Sequence, residues 1–232
     1  QWTDISLCFG VFPPLWRVAM VRANDGLPVG RRREKTMQEL SHYLNGEHVK
    51  GTSARFADVM NPATGEVQAK VPLASGDEVA KAVEIAAAAQ PAWAATNPQR
   101  RARVLMKFVH LLNRDMDKLA EALSREHGKT LPDAAGDVQR GLEVVEYCIG
   151  APQMLKGEFT DNAGPGIDMY SMRQPVGVAA GITPFNFPAM IPMWKFCPAL
   201  VCGNAFILKP SARSPSVPLT PAGLLVEAGL PE

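Results

Sequence analysis

Few side chains in this sequence stand where their type and spacing could do chemistry. Cys8, Cys148, Cys197 and Cys202 fall at no metal-site spacing, and His42, His48, His110 and His127 are equally dispersed, so neither a zinc site nor a Cys/His dyad is legible. Gly128-Lys129-Thr130 mimics the end of a phosphate loop, but the earlier glycine such a loop needs falls at Leu123, so a helix C-cap is the better reading. No Gly-x-Gly-x-x-Gly occurs. Three other positions carry more. Asn186, within Thr183-Pro184-Phe185-Asn186-Phe187-Pro188, either offers a fixed neutral amide donor or merely closes a turn between prolines. Lys209 follows an apolar run and precedes Pro210-Ser211, either a solvated surface lysine or a cation at a strand end. Arg140 carries a permanent charge on a planar fork that matches a carboxylate. Gly136 and Gly141 beside it each cost roughly 1 kcal/mol in a helix, which points to close approach of another element or a ligand. The alternative for Arg140 is a weak surface pair with Asp137 or Glu143.

The elements that must position these residues follow from local signals. Asn45-Gly46 and Asn61-Pro62-Ala63-Thr64-Gly65 mark two hairpin turns between short β-compatible runs. Asp77 opens a helix expected to run to Gln90 and end at Pro91, with Val79, Val83 and Ala86 facing inward. Asn97-Pro98 starts a longer one, expected to continue unbroken to Gly128 through Val104, Leu105, Phe108, Leu111, Leu112, Leu119 and Leu123. A third is expected over 133–149, with Val138, Leu142 and Val145 inward. Residues 151–173, rich in glycine and polar groups, read as an exposed β-excursion. Val176–Ile182 and Ala205–Leu208 are apolar strands separated by a helical stretch and followed by a helix from Pro218 to Gly229, the pattern of a parallel sheet covered on both faces. Lys209 then emerges at the carboxyl end of that sheet, where ligands of such folds bind.

Composition excludes several classes. The 232 residues are 47% hydrophobic and 20% charged, as in ordinary globular proteins. A net charge of +1 provides no field for nucleic acid or an anionic membrane surface. Residues 174–194 lack charge, yet the prolines at 175, 184, 188 and 192 rule out a transmembrane helix. Residues 1–36 carry a basic excess and Pro13-Pro14, and are expected to be a disordered or non-native extension before Met37. Cysteines without a disulfide framework fit a cytoplasmic protein.

The run Gln174-Pro175-Val176-Gly177-Val178, Ile182 through Pro188, Pro192-x-Trp194-Lys195, Pro198-Ala199-Leu200, Gly203-Asn204, Lys209-Pro210-Ser211 and Glu227-Ala228-Gly229-Leu230-Pro231 resembles the aldehyde dehydrogenase superfamily. Asn61 to Gly65 and Glu126 to Thr130 agree with it. Asp137-Val138-Gln139-Arg140-Gly141-Leu142-Glu143, Gly150-Ala151-Pro152 and Met193-Trp194-Lys195-Phe196 resemble the methylmalonate-semialdehyde dehydrogenase subfamily within it. The resemblance covers roughly residues 38–232.

The resemblance implies an α/β fold: N-terminal hairpins and helices over 37–150, an oligomerisation excursion over 151–173, and the first part of a Rossmann-like parallel sheet over 174–232, truncated before the catalytic domain. It implies NAD-dependent oxidation of a small-molecule aldehyde through a cysteine thiohemiacetal, with coenzyme A as co-substrate and a homo-oligomeric enzyme. Asn186 would be the oxyanion donor; losing such a donor typically costs about a hundredfold to a thousandfold in rate. Thr183, Phe185, Lys209 and Arg213 would bind cofactor, and Arg140 the substrate carboxylate. Ala212 stands where NAD-using relatives commonly have Glu, so NADP use is expected as well. The nucleophilic cysteine and general-base glutamate are expected beyond residue 232, leaving this chain inactive alone. The alternatives are a semialdehyde dehydrogenase using water instead of coenzyme A, and a non-catalytic interaction fragment.

Overall fold

The computed structural model describes residues 38–231; the expectation for residues 1–36 lies outside them. The chain opens with β1 (Gln38–Glu39), β2 (His42–Leu44), β3 (Glu47–Val49), β4 (Phe56–Met60) and β5 (Val67–Pro72). The two turn signals do close hairpins, β2–β3 and β4–β5, and β1 adds to β5 in parallel.

Four main helices follow: α1 (Gly76–Ala95), α2 (Pro98–Arg114), α3 (Met116–His127) and α4 (Leu131–Ile149). α1 begins in a capping box between Ser75 and Glu78. It continues through Pro91, contrary to expectation. Tertiary anchors override the local break: Gln90 donates to the Gly203 carbonyl and the Trp93 indole to that of Leu200, on either side of the proline. The expected inward face of α1 is also a correction, since Val79 and Val83 are exposed and Trp93 is its one buried residue. The predicted single helix from Pro98 is two, broken at Asp115 with φ −106° and ψ 16°. Arg114 and Lys118 both bond the Asp115 carboxylate, and their hydrogen bonds hold its pKa near 2 despite the burial of that side chain.

The core lies between these helices and the last third of the chain. Leu105, Phe108, Leu112, Leu119, Leu123, Val138, Leu142 and Val145 interlock with Met193, Phe196, Cys197 and Val217. Each such large side chain contributes roughly 1.5–3 kcal/mol by leaving water. After the short α5 (Ala151–Met154), β6 (Phe159–Gly164) and β7 (Ile167–Tyr170) form an antiparallel hairpin exposed along its whole length apart from Gly164.

The remaining elements are β8 (Val178–Ile182), α6 (Met190–Val201), β9 (Ala205–Lys209) and α7 (Ser216–Ala228). β8 and β9 pair in parallel from Val178 opposite Ala205 to Ile182 opposite Lys209, as the apolar runs imply. Both α1 and α6 pack against this pair. The Asn204 side-chain oxygen accepts from the Val176 and Gly177 amides, aligning the start of β8 with the turn before β9. Buried Arg101 donates to the Val201 carbonyl at the end of α6, where a cation offsets the helix dipole. Among the described residues, no helix is long and apolar enough to cross a membrane.

Candidate functional site

Two loops meet at the carboxyl ends of β8 and β9. The Thr183 amide donates to the Lys209 carbonyl at 3.1 Å, so the segments 183–188 and 210–215 leave the sheet side by side. They touch again further out, where the Arg213 guanidinium lies over the Phe185 ring, 4.7 Å from its centroid. His127, at the end of α3, stacks on Phe185 with centroids 6.5 Å apart and 28° between planes. Burial and the neighbouring Lys129 charge hold the His127 imidazole below its ordinary pKa.

Thr183 is 4% exposed, and its hydroxyl oxygen is buried without a hydrogen-bond partner. Such a group is costly to leave unpaired, which marks the site as one that takes a polar partner. Lys209 is exposed at the last position of β9, its cation at the strand end. Asn186 is exposed, and its side chain makes no hydrogen bond among the described residues, leaving both amide donors available. The structure thus brings Thr183, Phe185, Asn186, Lys209 and Arg213 to one end of the sheet.

Arg140 lies on α4, exposed, and forms no ion pair among the described residues. Asp137, its proposed surface partner, is fully buried and engaged elsewhere. The Arg140 carbonyl instead accepts the Trp194 indole at 3.2 Å, which sets this turn of α4 beside the first turns of α6. Gly141 explains part of that closeness: a Cβ there would lie 2.1 Å from the Met193 side chain and 3.2 Å from the Met190 backbone. Gly136 faces open space, so the expected close approach fails at that position.

Beneath the 183–188 loop lies a pair the sequence reasoning missed. Asp137, 0% exposed, accepts from the Lys129 ammonium at 2.9 Å through one oxygen and from the Met190 amide at 2.8 Å through the other. Lys129 also sits over the Phe187 ring, 4.1 Å from its centroid. Glu126 plays a similar part at α7, accepting from the Ser216 amide at 3.1 Å. Burial pushes its carboxyl above the ordinary range. A signal for Asp137 was present: it shares the apolar stripe of Ala134, Val138, Gly141, Leu142 and Val145, where an acid is out of place unless paired. Gly128 takes φ +84° and ends α3, so Gly128-Lys129-Thr130 is the helix C-cap expected, with Lys129 freed to turn inward.

Other candidates contribute little. The Cys148 thiol is pushed up to about 11 and that of Cys197 well above its ordinary value, both chiefly by burial, so neither is a ready nucleophile. Among the described residues no cluster of His, Cys, Asp and Glu could hold a metal ion. A mostly apolar cleft of about 650 Å³ runs between α1, β9 and α7 and reaches the site at Lys209, Pro210, Ser211 and Ala212.

A parallel strand pair with helical cover, an Asn-bearing loop after the first strand and a lysine ending the second define the class. The aldehyde dehydrogenase family profile matches residues 48–232, and the chain belongs to that family. Among its relatives, malonate-semialdehyde dehydrogenase of Pseudomonas aeruginosa is 54% identical over 196 residues, covering 84% of this chain and 39% of its own length. The acylating, mitochondrial methylmalonate-semialdehyde dehydrogenase of Arabidopsis thaliana is 50% identical over 189 residues, 82% of this chain and 31% of its own. A Sinorhizobium meliloti protein assigned to methylmalonate-semialdehyde dehydrogenase and solved with NAD superposes with a TM-score of 0.83 at 68% identity, covering 84% of this chain and 40% of its own. The chain therefore spans about two fifths or less of the length of these relatives.

Proposed function

We propose that this chain is the cofactor-binding part of an NAD-dependent, coenzyme A-acylating dehydrogenase of malonate or methylmalonate semialdehyde, active as a cytoplasmic homo-oligomer. The observation that carries the reading is the meeting of the Thr183–Asn186 and Lys209–Arg213 loops over the carboxyl ends of two parallel strands. The names of the relatives supply the substrate class, and the NAD complex of the Sinorhizobium neighbour supports the cofactor.

The residues present fit NAD. The unpartnered Thr183 hydroxyl offers a buried polar contact, and the exposed Lys209 ammonium offers charged donors for ribose hydroxyls. Arg213 and Phe185 wall the same end of the sheet, and NADP is accepted too because Ala212 places no carboxylate against a 2′-phosphate. When bound, NAD supplies the hydride acceptor. This chain's contribution is positional and electrostatic. The Asn186 amide donates to the oxygen that gains charge when a thiolate adds to the aldehyde carbon, and a neutral donor fixed in advance needs no reorganisation as that charge develops. Arg140 holds the substrate carboxylate by two parallel hydrogen bonds. The thiolate is assigned to a cysteine outside these residues: Cys148 and Cys197 are buried with raised pKa values, and Cys202 lies at the amino end of β9, opposite the end that carries Lys209. On this reading residues 1–232 alone turn over no substrate.

The test uses the intact enzyme that contains this chain, assayed with malonate semialdehyde, NAD and coenzyme A against propionaldehyde. Arg140→Leu is expected to raise KM for the carboxylated substrate at least tenfold, the order of one lost charged hydrogen-bonded contact, and to leave propionaldehyde within about threefold. Equal losses on both substrates would assign Arg140 to structure. Turnover to the free acid without coenzyme A would replace the acylating reading with the hydrolytic one.

A further inference from the structure

The Asn186 side chain makes no hydrogen bond of its own among the described residues, so its direction is set by how its neighbours are held. Those neighbours are pinned from one buried ion pair. Phe187, next in sequence, lies under the Lys129 ammonium. Met190, four residues on, gives its amide to Asp137 at 2.8 Å, at the start of a helix whose N-cap position, Ala189, has no side chain able to cap. The ammonium and the carboxylate that make these two contacts are bonded to each other at 2.9 Å.

We propose that Asp137, locked by Lys129, is the positioning residue that aims Asn186, and this rests on the oxyanion role proposed above for Asn186. The pair lies beneath the loop and touches no reacting atom. It fixes the first turn of α6 through Met190 and the ring directly after Asn186 through Phe187, and so sets the backbone from which the Asn186 amide projects. Full burial of Asp137 excludes water as a substitute acceptor for the Met190 amide. A displacement of about 1 Å at a reacting group can cost on the order of a hundredfold in rate, which is the scale the pair guards against.

In the intact enzyme, Asp137→Asn keeps an acceptor for Met190 and removes the charge that holds Lys129. Its kcat is expected to fall about tenfold to a hundredfold. KM for the semialdehyde and Kd for NAD should stay within about threefold, because Arg140, Thr183 and Lys209 are untouched. Hydrogen exchange should quicken most in peptides spanning residues 185–193, beyond the general rise that follows the loss of stability. Phe187→Leu removes the ring contact and leaves the pair whole; its kcat should drop about threefold to tenfold with the same split, and it decides the matter if Asp137→Asn does not fold. A wild-type kcat in either folded variant, or parallel losses in kcat and NAD affinity, overturns the assignment. A wild-type enzyme that oxidises no semialdehyde at all contradicts the proposed function instead.

Discussion

Helices α6 and α7 both begin just beyond a parallel strand, at Ala189 and Pro215, with no capping side chain of their own, and each borrows a carboxylate from the helical region. The two carboxylates differ in company. Asp137 is sealed from solvent and bonded to Lys129, whereas Glu126, 9% exposed, has no salt bridge among the described residues. A negative charge at a helix start is favourable, but burying it is costly unless a cation goes with it. At α6 the cation is supplied. At α7 it is not, and burial there pushes Glu126 toward its neutral form. The paired carboxylate stands under the loop that carries Asn186, where a fixed geometry matters most.

Removing Asp137 should have the larger consequence for stability. Asp137→Asn leaves the Lys129 ammonium only 16% exposed and without its partner, a situation that costs about 3–5 kcal/mol. Chemical denaturation checks it, and a loss below about 1 kcal/mol would remove the distinction between the two caps.

Glu126→Gln sharpens the comparison with a smaller effect. The folded carboxyl has a pKa above its ordinary value of 4.5, so between that value and the folded one the native state holds more protons than the unfolded state. Stability therefore falls as pH rises through that window and is level above it. Gln keeps an acceptor for the Ser216 amide and cannot ionise. The variant should lose this fall while costing only a fraction of Asp137→Asn at neutral pH. Unfolding curves between pH 4 and pH 8 that keep the same slope would place the titration on another group.

What the sequence could reveal was set by how local its signals are. Turn dipeptides, apolar runs and the Asn97-Pro98 helix start depend on neighbours in the chain, and the hairpins, β8, β9 and the start of α2 were legible from them. The loop residues 183–186 and 209–213 were placed by a dense motif and do converge at one strand end. The helix passes Pro91 because it is anchored by the carbonyls of Leu200 and Gly203, more than a hundred residues away, which no local signal shows. Asp115 breaks a periodic apolar pattern that by itself shows no interruption. Asp137 is no surface partner for Arg140: its place on the buried stripe of α4 calls for a cation, and that cation, Lys129, comes from the loop before the helix.

The central claim is that the nicotinamide cofactor sits over the carboxyl ends of β8 and β9, held in part by Lys209. Titration calorimetry of NAD into the intact enzyme and its Lys209→Met variant tests it most directly. A hydrogen bond from a charged donor contributes about 1.5–3 kcal/mol, so the variant should bind NAD roughly tenfold to 150-fold more weakly with an unchanged unfolding midpoint. An unchanged Kd would place the cofactor elsewhere and contradict the site described.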